Sequence, residues 1–448
     1  MKIFEPLILK FEDEKWANDP ELGLMDVILD QNPRLIEMLE SDITRGNPGS
    51  SFGRQDTPSV EQIIRAAIYK EMKNLDYRAL EYAQEDSRIC EQFVKINPNR
   101  PYSFQVWHKY ISRISAEKLR QFMVELNRIA IAEGLEDVTK FRQDTTVIET
   151  DIHYPTNNSL VWDCIKESER LLRHLQEEIA SLSYIEYTTS AKKVCFKINV
   201  EKNAEKRVKL FKKQLKTLAE SINQVSNTVK KKSGYGATAK APGYITAMEA
   251  LIPIMEQVYQ MTERKELLGE KVPVKEKVFS IYEQHTDIIV KGQRDVQFGH
   301  KVNLGSGKSN LILTCEVVEG NPNDAELYQE TIERLKEDYG KVPDSSVADG
   351  GYASVANIEY SVQEGILNIV FNKIRGCLQN IAGNKRVENK LKRWRSGMEA
   401  IISNLKRGFH IRRCIWKGFA HYRQKIFWSV IGYNLRVMTA WLLADMTL

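Results

Sequence analysis

The chain has 448 residues, of which 42% are hydrophobic, 28% charged and 9% aromatic; this is the balance of a folded protein, and the length asks for two or three domains. Its net charge is +5, yet residues 371–448 hold 16 Lys and Arg against three acids, which leaves the first 370 residues at −8; a basic field gathered at one end favours a polyanionic partner. No run approaches eighteen apolar residues and acids soon follow the short apolar start, so neither a transmembrane span nor a secretory signal is expected.

Taken in order, residues 1–54 read as an N-terminal segment closing in an exposed linker, RGNPGSSFGRQDTP from Arg45. Residues 55–135 read as a helical N-terminal domain. There TPSVEQIIRAAIYKEMKNL puts Val60, Ile63, Ile64, Ala67 and Ile68 at helical spacing, with Ser59 placed to cap them. Short helices continue to about residue 97, and another spans about 116–133. Such a bundle can read DNA, join subunits or simply pack; the acid-rich RALEYAQEDSRICEQF does not favour the first. The texture then changes. Residues 136–158 open an α/β core with a Val-, Ile- and Thr-rich strand, VTKFRQDTTVIETDI.

Residues 159–275 read as a mainly helical insertion, a hairpin carrying heptad-like positions in RVKLFKKQLKTLAESINQVSNTVKKK and able to touch DNA or a second subunit. The core resumes over 276–448. Strands are expected from Lys277, with FGHKVNL and NLILTCEVV as a hairpin about a glycine-rich turn. That turn, GSGKS, is no phosphate loop: the position where the motif requires its first glycine is Val302, and a strand rather than a helix follows. A helix over 325–339, a short strand in SSVADGGY and helices over 390–406 and 422–444 complete an interrupted α/β domain with a mixed sheet. The six cysteines, Cys90, Cys164, Cys195, Cys315, Cys377 and Cys414, form no C-x-x-C pair and read as free thiols of a reducing compartment, each a small buried hydrophobe.

Three acids fall where chemistry would place them. Asp144 lies inside the first strand, and Asp349 ends the ADGGY strand, where Gly350 and Gly351 permit close approach. Glu399 sits on the late basic helix, about 40° from Arg395 and 20° from Lys406 around the axis, opposite Met398, Ile401, Ile402 and Leu405. Like charges held together call for a cation, and hard oxygen donors suit Mg²⁺ or Mn²⁺; two such ions serve in-line phosphoryl transfer. Arg395 and Lys406 would then clamp DNA phosphates. The plain alternatives are a turn-forming Asp before glycines and a surface Glu paired with its helical neighbours.

At these residues the chain resembles the bacterial insertion-sequence transposases of the DDE class. The D-[ST]-T pattern of the first acid is matched by Asp144, Thr145 and Thr146, and IETDIHYPTNNSLVWD and HTDIIVKGQRDVQFGHKVNL resemble the segments after it and before the second acid. ADGGYAS resembles the second motif, carried by Asp349. The third, Tyr, two residues, Arg, three residues, Glu, six residues, Lys, is matched by Arg395, Glu399 and Lys406, with Lys392 where the tyrosine stands. Residues 55–97 and the tail also resemble the family. The resemblance implies an RNase H-like catalytic core interrupted by a helical insertion, with Asp144, Asp349 and Glu399 as catalytic metal ligands. Asp151, seven residues after Asp144, is the alternative first acid. His153, His285, Asp287 and His300 are candidates to line the site, and His410 and His421 are phosphate contacts or packed residues.

The activity so implied is metal-dependent cleavage at element ends and strand transfer of the 3′-hydroxyl into target DNA. It uses two Mg²⁺ or Mn²⁺ ions and no nucleotide, by a homodimer assembled on double-stranded DNA, in the cytoplasm at the nucleoid. A metal-dependent nuclease that cuts without joining, and an inactive repeat-binding protein, are the alternatives.

Overall fold

The computed structural model describes residues 16, 18–45, 57–231, 240–291, 295–374 and 376–446. The start of the chain, nearly all of the linker expected from Arg45, and Lys232, the last residue of RVKLFKKQLKTLAESINQVSNTVKKK, lie outside these residues. The chain divides into two units, residues 1–150 with 299–448, and residues 151–298.

The first unit begins with helices. α1 (Pro20–Gln31) is capped by Asp19, whose carboxylate accepts from the Leu22 amide. α2 (Val60–Met72) starts at Ser59 as expected, in a reciprocal box: Ser59 Oγ accepts from the Gln62 amide and Gln62 Oε1 from the Ser59 amide. The buried Arg65 of α2 ties the two helices together through Asp26 (2.7 Å) and Asp30 (2.5 Å) of α1, and also pairs with Glu61 (2.8 Å) of its own helix. α3 (Tyr77–Asp86), α4 (Arg88–Val94), α5 (Phe104–Ile111) and α6 (Ala116–Ala132) follow, and β1 (Lys140–Thr150) ends this half of the unit.

Among its described residues the second unit holds four long helices rather than one hairpin: α7 (Asn157–Glu178), α8 (Thr188–Val200), α9 (Ala204–Lys230) and α10 (Ala241–Thr262). The heptad-like stripe of α9 buries Leu215, Leu218 and Val225 in one cluster with Leu171, Leu172 and Leu175 of α7 and Met248 and Met255 of α10. Strand structure does not resume at Lys277. Ser280 Oγ accepts from the amides of Tyr282 and Glu283 and bends the chain, so the first strand here is β2 (Asp287–Lys291).

β3 (Asp295–Ser306) leads into the first unit and runs antiparallel to β1, with Asp144 opposite Leu304. β4 (Ile312–Val318) completes the expected hairpin, whose GSGKS turn is held by Glu136 accepting from the amides of Lys308 (3.2 Å) and Ser309 (2.9 Å). Then come α11 (Tyr328–Tyr339), β5 (Ser345–Asp349), α12 (Val355–Gln363), β6 (Asn368–Asn372), α13 (Lys385–Gly408), β7 (Arg413–Cys414) and α14 (Phe419–Met446). The sequence suggested no counterpart for α1, α12, β6 or β7.

The strand order is β2-β3-β1-β5-β6, with β4 beside β3 and β7 beside β1. β5 and β6 run parallel to β1 while β3 opposes it, so the sheet is mixed. With an all-helical region before it and helices interleaved between its strands, the arrangement is RNase H-like. Residues 419–444 of α14 are, by length and composition only, long and apolar enough to cross a membrane. Yet 72% of the most apolar stretch is buried within the protein, as in the central helix of a globular core. Of the cysteines, Cys90, Cys164, Cys315 and Cys414 are buried, Cys195 is half-buried and Cys377 is exposed.

Candidate active site

The site is built where β1, β5 and α13 meet. β1 and β5 pair in parallel as far as Arg142 and Val347, so Asp144 and Asp349 each stand two residues further on, at the same level of neighbouring strands. At the end of β5 the chain must turn beside β6. A Cβ on Gly350 would meet the Asn372 carbonyl oxygen at 2.6 Å, and one on Gly351 would come within 3.1 Å of the Asp324 carboxylate. At Gly350 the backbone of the neighbouring strand leaves no room for a side chain, whereas at Gly351 the Asp324 carboxylate would have to shift slightly.

α13 is held over the sheet by a buried arginine. Arg142 of β1 donates Nη1 to the Trp394 carbonyl and Nη2 to Asn310 Oδ1 (2.5 Å), and its guanidinium lies 4.5 Å from the centre of the Trp394 ring. Gly397 leaves that guanidinium its space. Met398, Ile401 and Leu405 of the same helix are buried, as the helical spacing indicated, which sets Arg395 and Glu399 at the edge of the sheet.

Arg395 then gathers the three acids. Its Nη2 lies 2.7 Å from Asp144 Oδ2 and 3.9 Å from Asp349 Oδ1, and its Nη1 lies 3.2 Å from Glu399 Oε1. The four side chains form a gradient of access: Arg395 and Asp144 are 10% and 17% exposed, Asp349 41% and Glu399 70%. Burial, with the charges of Asp349 and Asp324, pushes the Asp144 carboxyl up to about 6 against the opposing pull of Arg395 and of the Thr145 amide that it accepts from. Lys406, the other basic residue of the motif, donates Nζ to the Val147 carbonyl of β1 (2.7 Å). Both bases singled out for DNA phosphates are thus engaged with the protein here.

A fourth acid escaped the sequence reading. Asp324 Oδ1 accepts from Lys301 Nζ (3.0 Å) and Thr145 Oγ1 (3.2 Å), directly behind Asp144. Close by, Tyr352 donates its hydroxyl to Asn303 Oδ1 (2.8 Å), and burial, with the charges of Asp324 and Asp144, pushes this phenol well above its usual value. The signal for Asp324 was the NPND turn after β4, which reads equally well as an ordinary turn. Four carboxylates against Arg395 and Lys301 leave a surplus of two negative charges in this corner.

The remaining candidates fall elsewhere. Asp151 is exposed at the start of the second unit. In that unit His153 Nε2 bonds Asp163 (2.5 Å), His285 Nε2 bonds Glu283 (2.9 Å) and Asp287 opens β2. His300 is buried between Phe419 and Tyr422. His410 and His421 are exposed and line a cavity described below. Lys392, standing at the motif's tyrosine position, pairs with Glu388 at 2.6 Å.

Among the described residues no three His, Cys, Asp or Glu side chains stand close enough together to hold a metal ion. The donor chemistry nevertheless suits one. Asp144, Asp349 and Glu399 offer oxygen donors only, and they already converge on a single positive group, the Arg395 guanidinium.

Residues 291–435 match the family described as transposase DDE domain. The matched stretch is similar to transposase DDE domains and covers less than half of the chain. It contains Asp349, Arg395, Glu399 and Lys406 and begins after Asp144 and Asp151. That likeness supports a transposase-like nuclease function in general. No curated protein and no solved structure matches the chain.

Proposed function

We propose that the protein is an insertion-element transposase that cuts DNA at the element ends and joins the freed 3′-hydroxyl to target DNA, with Asp144, Asp349 and Glu399 as the ligands of two Mg²⁺ or Mn²⁺ ions. The observation that carries this reading is the convergence of all three acids on the guanidinium of Arg395. These acids come from a strand, a strand end and a helix separated by more than 200 residues of chain between the first and second. Nothing local in the sequence requires them to meet.

Both steps are phosphodiester exchanges. In the first, water attacks phosphorus and the bond to the 3′-oxygen breaks, leaving a 3′-hydroxyl. In the second, that hydroxyl attacks a target phosphorus and displaces the target's own 3′-oxygen. Bound divalent ions supply the positive charge that activates the attacking oxygen and stabilises the departing one.

The chain's own residues do the positioning. The Thr145 amide and Arg395 fix Asp144, and Asp324 holds the Thr145 hydroxyl behind β1, while the more exposed Asp349 and Glu399 are open to an arriving phosphate. Arg395 compensates the charge of the acids, and its guanidinium would suit a bidentate contact with a phosphate if divalent ions were held by those acids. A dimer holding two ends, the helical region over 55–135 as a DNA contact and a place at the nucleoid complete the reading.

The test is Glu399→Gln. Mg²⁺-dependent cleavage of element-end DNA should be lost while a gel shift shows end binding within about twofold of the unaltered protein. Equal loss of binding and cleavage would remove Glu399 from the chemistry. Cleavage of intact ends with no strand-transfer product from pre-nicked ends would replace transposase by nuclease.

A further inference from the structure

A second feature of the first unit is a cavity of about 830 Å³ walled by the start of α3, the end of α5 and the chain from Phe409 to Lys425. Its volume is that of a small-molecule site. One wall is aromatic. The rings of Tyr77 and Trp416 lie 6.1 Å apart with 34° between their planes, and His108 meets Tyr77 edge-on at 5.1 Å.

The charges lining it are mostly positive: Lys70, Arg413, Lys417 and Lys425 against Asp76, whose carboxylate caps α3 by accepting from the Ala79 amide. Arg413 is balanced by Glu149 at 3.1 Å. Lys70 and Lys425, by contrast, share one buried carboxylate, Glu71, with Lys70 Nζ at 3.2 Å. Two ammonium groups on one carboxylate leave a positive charge where water is largely excluded, offset in part by Asp76, which also acts on Lys70; with Lys417 beside them, the remaining surplus is relieved by an incoming anion. The Lys70 ammonium is also 5.0 Å from the centre of the Tyr77 ring and 5.2 Å from that of Trp416, so the cationic floor and the aromatic wall are one structure.

The cavity is tied to the proposed active site by β1. β7, which carries Arg413, pairs with Glu149 and Thr150, the latter six residues beyond Asp144, about 20 Å at the usual strand rise. A stacked DNA strand covers that distance in roughly six nucleotides.

We propose that this cavity binds one unstacked nucleotide of DNA, its base against Trp416 and Tyr77 and its phosphate on Lys417 and Lys425. A flat π-system joined to an anion is the ligand that both walls accept together. The inference rests on the DNA reading above and adds a second recognition point to it.

The experiment uses the full chain and two probes of the same sequence, a short single strand carrying 2-aminopurine and its duplex. Binding of the single strand should quench the 2-aminopurine fluorescence, and Trp416→Leu and Lys417→Gln should each weaken it about tenfold while leaving duplex binding nearly unchanged. Thermal unfolding of both variants identifies any that fail to fold; Lys417 is exposed, so its variant remains a test if the other is lost. Single-strand binding that survives Lys417→Gln and any folded Trp416→Leu variant, a loss shared equally by single strand and duplex, or duplex binding without single-strand binding overturns the pocket and leaves the DNA reading standing. Failure to bind either probe overturns both.

Discussion

Two charge clusters in the first unit are near mirror images. Around Arg395, three acids and a fourth behind them outnumber the nearby cations, and two of the acids are open to solvent. Around Glu71, two lysines share one carboxylate, deep in the protein against aromatic rings. Burial depresses the Lys70 ammonium, while Lys425 and Lys70 outweigh burial and hold the Glu71 carboxyl below its usual range. The first cluster is short of positive charge and the second short of negative charge. A cation answers one and an anion the other, and a protein joining metal ions to DNA needs both.

The largest effects should come from the acid cluster. Asp349→Asn is expected to reduce Mg²⁺-dependent DNA cleavage by on the order of 10³-fold, because a ligand that holds transition-state charge is lost. Unfolding by urea should show little change in the same variant, since Asp349 is well exposed. If stability fell and cleavage did not, the contrast between an open functional cluster and a buried cluster would be gone.

Next comes Glu71→Gln, which leaves two lysines without their shared carboxylate. A loss of about 3–5 kcal/mol in urea unfolding is expected, whereas Lys70→Met, which keeps the Lys425 pair and adds no unpaired charge, should stay within about 1–2 kcal/mol. Similar losses in the two variants would show that the surplus charge is not felt.

A smaller effect concerns pH. The Asp144 carboxyl is raised in the folded protein to about 6 from an ordinary value near 3.8, so the folded state holds this proton more tightly than the unfolded chain. The associated stability is fully present below about pH 4 and is lost as the pH rises through about 6. Asp144→Asn should remove that pH dependence from urea unfolding. In the unaltered protein, Mn²⁺ affinity measured calorimetrically should weaken as the pH falls below about 6, because protons then compete for a ligand.

The smallest is a control on the comparison. Ser59→Ala removes the cap of α2, the helix that carries Lys70 and Glu71, and should lower stability by about 1 kcal/mol without changing cleavage or nucleotide binding.

Much of the framework was legible. Helical spacing located α2, α6, α13 and α14 to within a few residues, and the turn chemistry around GSGKS located the β3–β4 hairpin. The strand with Asp144 and the Asp-Gly-Gly strand end were read from β-branched runs and glycines. β6, only five residues long, and β7, only two, carry too few residues for a pattern, and their pairing with β5 and β1 is what makes them strands. Residues 277–286 misled for the opposite reason. They have strand-like composition, but Ser280 captures the amides that a ladder would need.

The residue types, the basic end of the chain and the order of the three acids are properties of the sequence, because spacing and charge need no third dimension. That Arg395 faces inward onto all three acids, that Asp324 stands behind Asp144, and that Lys70 and Lys425 converge on Glu71 were decided by tertiary packing. Each of these contacts joins side chains from distant segments or depends on which way a helix is turned against its neighbours. The strength of a charge contact depends on separation in space and on the exclusion of water, and distance along the chain measures neither.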